Sequence, residues 1–286
     1  MKVVTAVVNN PTFIEIQYHT LKKYFKGDYE FIVFNDAKAF PDFTNNGDVT
    51  IRSQISEMCK KLNIQCINIP NEKHRSVQCA AQRCADSMNF ILKYQLANPD
   101  KYLLLDSDMF IIDSFDPSKY SACSSAVILQ TRNNDRTKYI WNGIYYFDFT
   151  KMNNINLLDW NTCPGCDVGG MMQTWLSLQD PASIYFMRHL YSCSWDASSA
   201  PTGAIDPGLI FKGLPSPKDD AHPPPTLSPE LIDFFTADPR NVNGKFFCEI
   251  YDDVFLHYRA GGNWMRQSPA MHSSLTNKLK EILISS

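Results

Sequence analysis

Apolar runs and amphipathic stripes alternate along the first part of the chain. Lys2–Val8 is a largely apolar run rich in β-branched side chains, which is typical of a strand buried on both faces. Asn9-Asn10-Pro11 interrupts the run and supplies a proline for the first turn of a helix. Apolar residues then follow at helical spacings: Ile14, Tyr18, Leu21 and Phe25. The pattern predicts a strand followed by an amphipathic helix.

The same alternation continues through the first third of the chain. Strands are predicted at Tyr29–Phe34, Ile64–Ile69 and Tyr102–Leu105, and a long helix at Val77–Leu96. Another helix is marked by the stripe Ile51, Ile55, Met58 and Leu62. This order of strands and helices predicts an α/β fold with a central mixed, mainly parallel sheet flanked by helices.

Polar residues stand at the predicted carboxyl ends of three strands. They are Asn9, Asn35-Asp36 and Asp106–Asp108. In open α/β sheets, ligands bind beyond the carboxyl ends of the strands. We therefore expect these residues to lie near one another at a ligand site.

The alternation ends after about Asp113. Strands are predicted at Ala126–Gln130, Tyr139–Phe149 and Phe246–Tyr258, and helices at Gly170–Leu178 and Ser273–Ile284. The proline-rich segment Gly213–Pro229 is predicted to be an exposed loop. No internal repeat and no long linker interrupts the chain, so we expect one two-part domain over residues 1–286, divided near residue 113.

Composition narrows the function classes. The formal net charge is −3, with 44% hydrophobic and 20% charged residues, which indicates a globular protein. A weakly acidic chain is a poor ligand for nucleic acid or anionic membrane, since both require a basic excess. No run is long enough to span a bilayer or to form a signal peptide. We expect a soluble, cytoplasmic protein.

Cysteine usage agrees with a reducing compartment. The nine cysteines are odd in number and scattered along the chain. Cys163 and Cys166 have metal-ligand spacing, but a structural zinc site requires a second pair. Neither zinc nor a redox role is the favoured interpretation.

Asp106 and Asp108 carry the strongest chemical signal. They follow the apolar run Leu103–Leu105 and precede a second apolar run, Met109–Ile112. Residues two apart in an extended chain point the same way, and two neighbouring carboxylates are costly unless they share a cation. Hard oxygen ligands suit Mg²⁺ or Mn²⁺, which also bind phosphate oxygens. A polar turn at the end of a strand is the alternative.

A second motif lies near the carboxyl terminus. His257 follows an apolar stretch, and Arg259, Gly261 and Gly262 come soon after it. A histidine in this place can complete a metal site, and glycines allow backbone N–H groups to approach phosphate oxygens. Arginine neutralises a diphosphate through two parallel hydrogen bonds. A histidine with a purely structural role is the alternative.

An apolar strand, Asp-x-Asp and a second apolar strand resemble the signature of nucleotide-sugar glycosyltransferases with the GT-A fold. The resemblance implies that Asp108 binds the metal directly and that Asp106 contacts the metal, partly through water, or the ribose. It implies that His257 is the third ligand of Mn²⁺ or Mg²⁺. It further implies a nucleotide-sugar-binding half over residues 1–113 and an acceptor-binding half over residues 114–286. The implied donor contacts are Thr5, Val7, Asn9, Asp36, Arg83, Asp86, Ser107, Asn142, Arg259 and Gly262.

The resemblance also implies the reaction: a sugar moves from a nucleotide-diphosphate donor, with UDP favoured, to a glycan or other hydroxyl acceptor. The segment after His257 is similar to the His-aromatic-x-Gly-x-x-Lys-Pro-Trp pattern of some retaining members. Because the Lys-Pro pair is absent and the glycines are shifted, inversion is favoured over retention.

An inverting enzyme requires a carboxylate that takes the proton from the acceptor hydroxyl. Asp167 and Asp206 are the candidate catalytic residues, and Glu249 is a further rival. Asp167 can instead be the N-cap of the helix that follows. The pair Asn142-Gly143 either lies beside the donor sugar or forms a plain hairpin turn.

Other classes with a related sheet fit less well. Sugar nucleotidyltransferases grip a triphosphate with a glycine-rich, basic loop after the first strand, whereas Asn9-Asn10-Pro11-Thr12 has no glycine and no basic residue. A dinucleotide-binding dehydrogenase also fits poorly, since no Gly-x-Gly-x-x-Gly follows the first strand. A catalytically inactive module that binds sugar nucleotides or glycans remains the alternative.

Overall fold

The computed structural model describes residues 1–132, 137–188, 227–241 and 247–285. The strands in these ranges are β1 (Lys2–Val7), β2 (Glu30–Asn35), β3 (Gln65–Asn68), β4 (Lys101–Leu105), β5 (Met109–Ile111), β6 (Ser125–Arg132), β7 (Thr137–Asp148), β8 (Ile184–Phe186), β9 (Glu249–Tyr251) and β10 (Phe255–His257). The helices are α1 (Pro11–Tyr24), α2 (Ile51–Lys61), α3 (Ala80–Ala97), α4 (Met172–Leu176), α5 (Pro229–Thr236), α6 (Gly261–Gln267) and α7 (Pro269–Ser285).

The main sheet has the strand order β3-β2-β1-β4-β7-β6-β8. Strands β3, β2, β1 and β4 are mutually parallel, β7 runs antiparallel to both of its neighbours, and β8 is parallel to β6. The predicted α/β class with a mixed, mainly parallel sheet is confirmed. A second, antiparallel sheet has the order β5-β10-β9 and follows directly from the end of β4.

Side chains of β1 alternate between the two faces of the main sheet, and helices cover both faces. Val3 and Val7 join a core cluster with residues of α1 and α2, whereas Val4 joins a second cluster with residues of α3. A third cluster is formed by α1, α5, α7 and the small sheet, and it includes Phe13, Phe110 and Leu256. Successive side chains of a strand point to opposite faces, so a strand covered on both sides must be apolar throughout.

Several predicted boundaries move. The long helix begins at Ala80 and not at Val77, because a 3-10 turn at Glu72–Arg75 and an extended segment come first. The strand-like segment Phe246–Tyr258 divides into β9 and β10, and Asp252 and Asp253 make the turn between them with φ of 53° and 69°. The predicted proline-rich loop lies outside the described residues up to position 226.

The hairpin interpretation of Asn142-Gly143 is wrong, since both residues lie inside the long strand β7. Gly143 is needed there for space: a Cβ at this position would lie 2.2 Å from the Trp141 ring. Among the described residues, no helix combines the length and apolarity needed to cross a bilayer.

Candidate metal and substrate site

A cleft of about 480 Å³ opens at the carboxyl ends of β1, β2 and β4. Asn9 follows β1, Asp36 follows β2, and Asp106 and Asp108 follow β4, so three strand ends contribute to one wall. Further lining residues come from β7, from the loop before α4 and from the segment around α6. They are Trp141, Asn142, Asp167, Val168, Arg259, Ala260, Gly261, Gly262 and Asn263.

Asp106, Asp108 and His257 form a group that can hold a metal ion. One ligand atom from each lies within 4.8 Å of the others. The small sheet brings the histidine to the carboxylates: His257 pairs with Met109 across β10 and β5, and the Tyr258 amide donates to the Asp108 carbonyl at 2.9 Å. The backbone of Asp106 is held from the other side, since its amide donates to the Gly143 carbonyl at 2.7 Å.

The geometry of Asp108 fits a shared cation. Asp108 Oδ1 lies 3.3 Å from His257 Nε2, yet this buried oxygen has no hydrogen-bond partner within the described structure. Two neighbouring ligands of an octahedral cation at about 2.1 Å are separated by about 3 Å. The other oxygen, Asp108 Oδ2, accepts from the Gly261 amide at 2.7 Å, which leaves Oδ1 directed at the histidine. The donor set of two carboxylates and one imidazole suits a divalent ion such as Mn²⁺ or Mg²⁺.

The protonation of the three groups is strongly perturbed. Burial, followed by the charge of Asp108, raises the pKa of Asp106 to about 7. Burial alone would lower the pKa of His257, but the nearby charge of Asp108 and the hydrogen bond to Glu249 outweigh it and raise that pKa to about 9. Burial works against ionisation of Asp108, yet the nearby charge of His257 and the hydrogen bond from the Gly261 amide hold the pKa of Asp108 below the usual range. Without a cation, Asp106 and His257 therefore tend to hold protons, and a bound cation would displace these protons.

Arg259 lies beside this group on an unusual turn. Arg259 and Ala260 both adopt left-handed backbone conformations, with φ of 69° and 53°. The turn is held from behind by Arg240, whose Nη1 donates to the carbonyls of Tyr258 and Arg259 at 3.0 and 3.3 Å. Arg240 is itself buried and ion-paired with Asp238 at 2.7 Å. Arg259 lines the cleft.

Asp36 stands at the centre of a buried polar network at the other end of the cleft. Lys38 Nζ and Asn71 Nδ2 each donate to Asp36 Oδ1 at 2.8 Å, and Ser87 Oγ donates to Oδ2 at 2.7 Å. Lys38 is almost fully buried, and sequence reasoning missed it. Its signal was a lysine two residues after the acid that ends a strand.

Asn9 ties the two ends of the chain together at the cleft. Its Nδ2 donates to the carbonyl of Thr44 at 2.9 Å and to the carbonyl of Gly262 at 3.0 Å. Asn9 and Gly262 therefore line the cleft side by side. Ser107 also lines it, and its amide donates to Asp106 Oδ1 at 2.7 Å.

Thr5 and Val7 are fully buried and are not among the residues that line the cleft. Their neighbours Ala6 and Val8 do line it, because alternate side chains of a strand face opposite ways.

Arg83 and Asp86 differ in position. Arg83 lines the cleft, but its Nη1 donates to both oxygens of Asp42 at 2.8 Å. Asp86 lies one helical turn away, pairs with Lys73 at 2.9 Å, and lines a separate cleft.

Asp167 and Asn142 also line the cleft. The N-cap interpretation of Asp167 is wrong, because α4 begins at Met172 and its cap residue, Met171, makes no side-chain cap. Asp167 Oδ1 instead accepts from the Val168 amide at 2.8 Å. Asn142 Nδ2 lies 3.5 Å from the sulfur of Cys84. Asp206, the other candidate base, lies outside the described residues.

No protein-family profile matches the chain, and no curated protein sequence matches it. The structure is similar to that of the galactosyltransferase LgtC in complex with donor and acceptor sugar analogs, with 13% identity, a TM-score of 0.40, and coverage of 65% of this chain and 73% of LgtC. An active-site mutant of LgtC gives 12% identity, a TM-score of 0.36, and coverage of 65% and 72%.

A third similar structure is the apo form of the bifunctional glycosyltransferase WbbM, with 12% identity and a TM-score of 0.35. The match covers 55% of this chain and 33% of WbbM. All three structures are those of glycosyltransferases. At these identities and TM-scores the likeness carries no argument about this chain, and its function must be argued from its own site.

Proposed function

We propose that this protein is a metal-dependent glycosyltransferase that moves a sugar from a nucleotide-diphosphate donor, with UDP favoured, to a glycan or other hydroxyl acceptor. The observation that carries the proposal is the meeting of Asp106, Asp108 and His257 in one cleft, with an arginine, Arg259, beside them. Two carboxylates and an imidazole hold a cation, and the arginine adds a second positive group. This combination suits a diphosphate better than it suits a neutral ligand.

The chemistry required is stabilisation of the leaving diphosphate. Breaking the bond between sugar and phosphate leaves negative charge on the diphosphate, and interactions that grow with this charge accelerate the reaction. Bound Mn²⁺ or Mg²⁺ would supply Lewis-acid stabilisation of that charge. Arg259 would share the task, since its turn is already held by Arg240 and need not reorganise.

The part of the cleft lined by Trp141 and Asp167 would receive the acceptor. Trp141 offers an aromatic surface there, with its ring centroid 5.2 Å from those of Tyr251 and His257. Aromatic faces of this kind pack against the apolar side of sugar rings. Asp167 lines the same cleft, and in an inverting reaction its carboxylate would take the proton from the acceptor hydroxyl. Asn142 would then contact the donor sugar.

The nucleotide would occupy the end of the cleft near Asn9 and Asp36. Ala6 and Val8, rather than Thr5 and Val7, would contact the base, because they face the cleft. Asp36 is held rigidly by its network, so it would present carboxylate and backbone atoms in a fixed place. Arg83 would shape this end indirectly through Asp42 and α3.

A direct test combines nucleotide-sugar binding with turnover. Thermal shift and hydrolysis of UDP-, GDP- and dTDP-sugars are measured with and without Mn²⁺. We expect Mn²⁺-dependent binding and turnover, both abolished by EDTA. Binding without any turnover would instead favour the inactive sugar-nucleotide-binding module, and no binding of any nucleotide sugar would refute both.

Asp108→Asn is the sharpest variant, because it keeps shape and removes one ligand charge. We expect turnover to fall by more than the roughly 10- to 100-fold that loss of a supporting contact causes. Asp113→Asn is the matched control, since this exposed carboxylate lies just after β5 and accepts a hydrogen bond from the neighbouring Ser114 amide. Equal activity in the two variants would remove Asp108 from the site. The anomeric configuration of the product, read by NMR, distinguishes inversion from retention.

A further inference from the structure

A buried carboxylate, Glu249, contacts the proposed metal ligand His257 on the side away from the other two ligands. Glu249 Oε2 lies 2.9 Å from His257 Nδ1, the ring nitrogen on the far side from Asp108. The same oxygen accepts a hydrogen bond from the Tyr251 hydroxyl at 2.8 Å. Glu249 is 5% exposed. Glu249, His257 and Asp108 thus form a buried chain of contacts that passes through both nitrogens of one imidazole.

The small sheet builds this chain. Glu249 and His257 are direct partners in the antiparallel pair β9–β10, and His257 is the partner of Met109 in the pair β10–β5. Residues directly opposite on neighbouring strands have their side chains close together. The three-stranded sheet therefore lines up a carboxylate, an imidazole and the Asp-x-Asp end of β5 in one row.

We propose that Glu249 is a positioning residue that holds the proton of His257 on Nδ1, so that the lone pair of Nε2 is directed at the cation shared with Asp106 and Asp108. The inference rests on the metal-dependent function proposed above. It assigns Glu249 a role through the histidine and not as the base that deprotonates the acceptor.

Two physical arguments support this role. A metal-binding histidine is oriented by the partner of its other nitrogen, and a carboxylate in that place raises the donor strength of the ring. The Tyr251 hydroxyl occupies one lone pair of Glu249 Oε2, which holds the carboxylate in the plane needed for the histidine. Glu249 Oε1 also lies 3.7 Å from Arg259 Nη1, so the same carboxylate helps to place the arginine expected to bind the diphosphate.

Metal affinity separates this role from a general structural one. Free Mn²⁺ is measured by electron paramagnetic resonance during titration of wild type, Glu249→Gln and Asp252→Asn. We expect Glu249→Gln to weaken Mn²⁺ binding by about 10- to 100-fold. Part of the turnover lost in Glu249→Gln should recover when Mn²⁺ is raised, because the variant weakens metal binding; the unrecovered part reflects the lost charge beside Arg259.

Asp252→Asn is the matched control. Asp252 is a fully buried carboxylate on the same β9–β10 hairpin, and it accepts from the hydroxyls of Tyr120 and Tyr185. The Asp252→Asn substitution removes one negative charge, as Glu249→Gln does, but Asp252 does not contact His257. Asparagine tolerates the left-handed backbone conformation of position 252. We expect its Mn²⁺ affinity to stay within about twofold of wild type, a much smaller change than the loss of a histidine partner causes.

A measurement on wild type covers the case in which Glu249→Gln does not fold. The ¹⁵N spectrum of the histidines in the Mg²⁺-loaded protein should show His257 protonated at Nδ1 and not at Nε2. The opposite tautomer overturns the inference. So does a Glu249→Gln variant with wild-type Mn²⁺ affinity, or an equal loss in Asp252→Asn; in these cases the proposed function survives. Wild-type protein that binds no Mn²⁺ overturns the proposed function and the inference together.

Discussion

Adjacent glycines at the start of α6 give a sharp test of how the site is packed. A Cβ added to Gly261 would lie 2.6 Å from Phe13 Cε2, 2.9 Å from Phe13 Cζ and 3.1 Å from Asp108 Oδ2. A Cβ added to Gly262 would meet nothing closer than the Asn9 side chain at 3.7 Å, an ordinary contact. Gly261→Ala and Gly262→Ala thus make the same chemical change one residue apart, in very different surroundings.

The expected cost follows from the stiffness of the Phe13 site. Phe13 is 1% exposed, and its ring packs on Phe110, Tyr258 and His272 at centroid distances of 5.6 to 5.7 Å, so it cannot move aside cheaply. Overpacking of a buried site costs about 1–3 kcal/mol, whereas replacing glycine by alanine at a compatible position gains about 0.4–1 kcal/mol. We expect Gly261→Ala to lose about 1–2 kcal/mol and Gly262→Ala to be neutral or slightly more stable.

Urea unfolding of the metal-free proteins, with Tm measured in parallel, checks this prediction. For a domain of 150–250 residues, about 1 kcal/mol corresponds to roughly 2–4 °C in Tm. Addition of Mn²⁺ should widen the gap between the variants, because the Gly261 amide is a hydrogen-bond donor to Asp108. Equal stability of the two variants would refute the packing described for Gly261, and a loss confined to Gly262→Ala would reverse it.

Two further predictions concern metal and pH. Mn²⁺ at about 100 times its Kd should stabilise wild type by about 2.7 kcal/mol. Thermal unfolding should show that EDTA reverses this gain and that Asp108→Asn lacks it. An equal gain in Asp108→Asn would place the ion elsewhere. Burial, followed by the charge of Arg240, lowers the pKa of His272 from 6.5 to about 4. The folded protein therefore holds this histidine neutral while the unfolded chain takes up its proton, so its contribution is complete above pH 6.5 and is lost as pH falls towards 4. Urea unfolding at pH 7 and pH 4.5 should show about 2 kcal/mol less loss in His272→Gln than in wild type, whereas parallel losses would show that His272 is not the group responsible.

Much of the first sheet and one side of the site could be read directly from the chain. Buried strands need continuous apolar runs, and amphipathic helices need stripes, so β1, β2, β4 and α1 were visible as local patterns. Asp106 and Asp108 followed from the same logic, because two acids that end a buried strand must point into the space beyond the sheet. The Asn142-Gly143 hairpin failed where a local signal was ambiguous: the pair suits a turn, but in β7 the glycine makes room for Trp141.

What the sequence alone determined is thus the order of elements, the parallel sheet and the pair of acids at the end of β4. Only the tertiary structure decided which distant groups meet them. The Gly261 amide bonds to Asp108 across 153 positions of the chain, and His257 reaches the same carboxylate because β10 pairs with β5. Hydrophobic periodicity encodes which faces are buried and not which strands become partners. The contact of Glu249 with His257 depends on the pairing of β9 with β10. Whether Ala6 or Thr5 faces the cleft depends on which face of β1 is turned towards it.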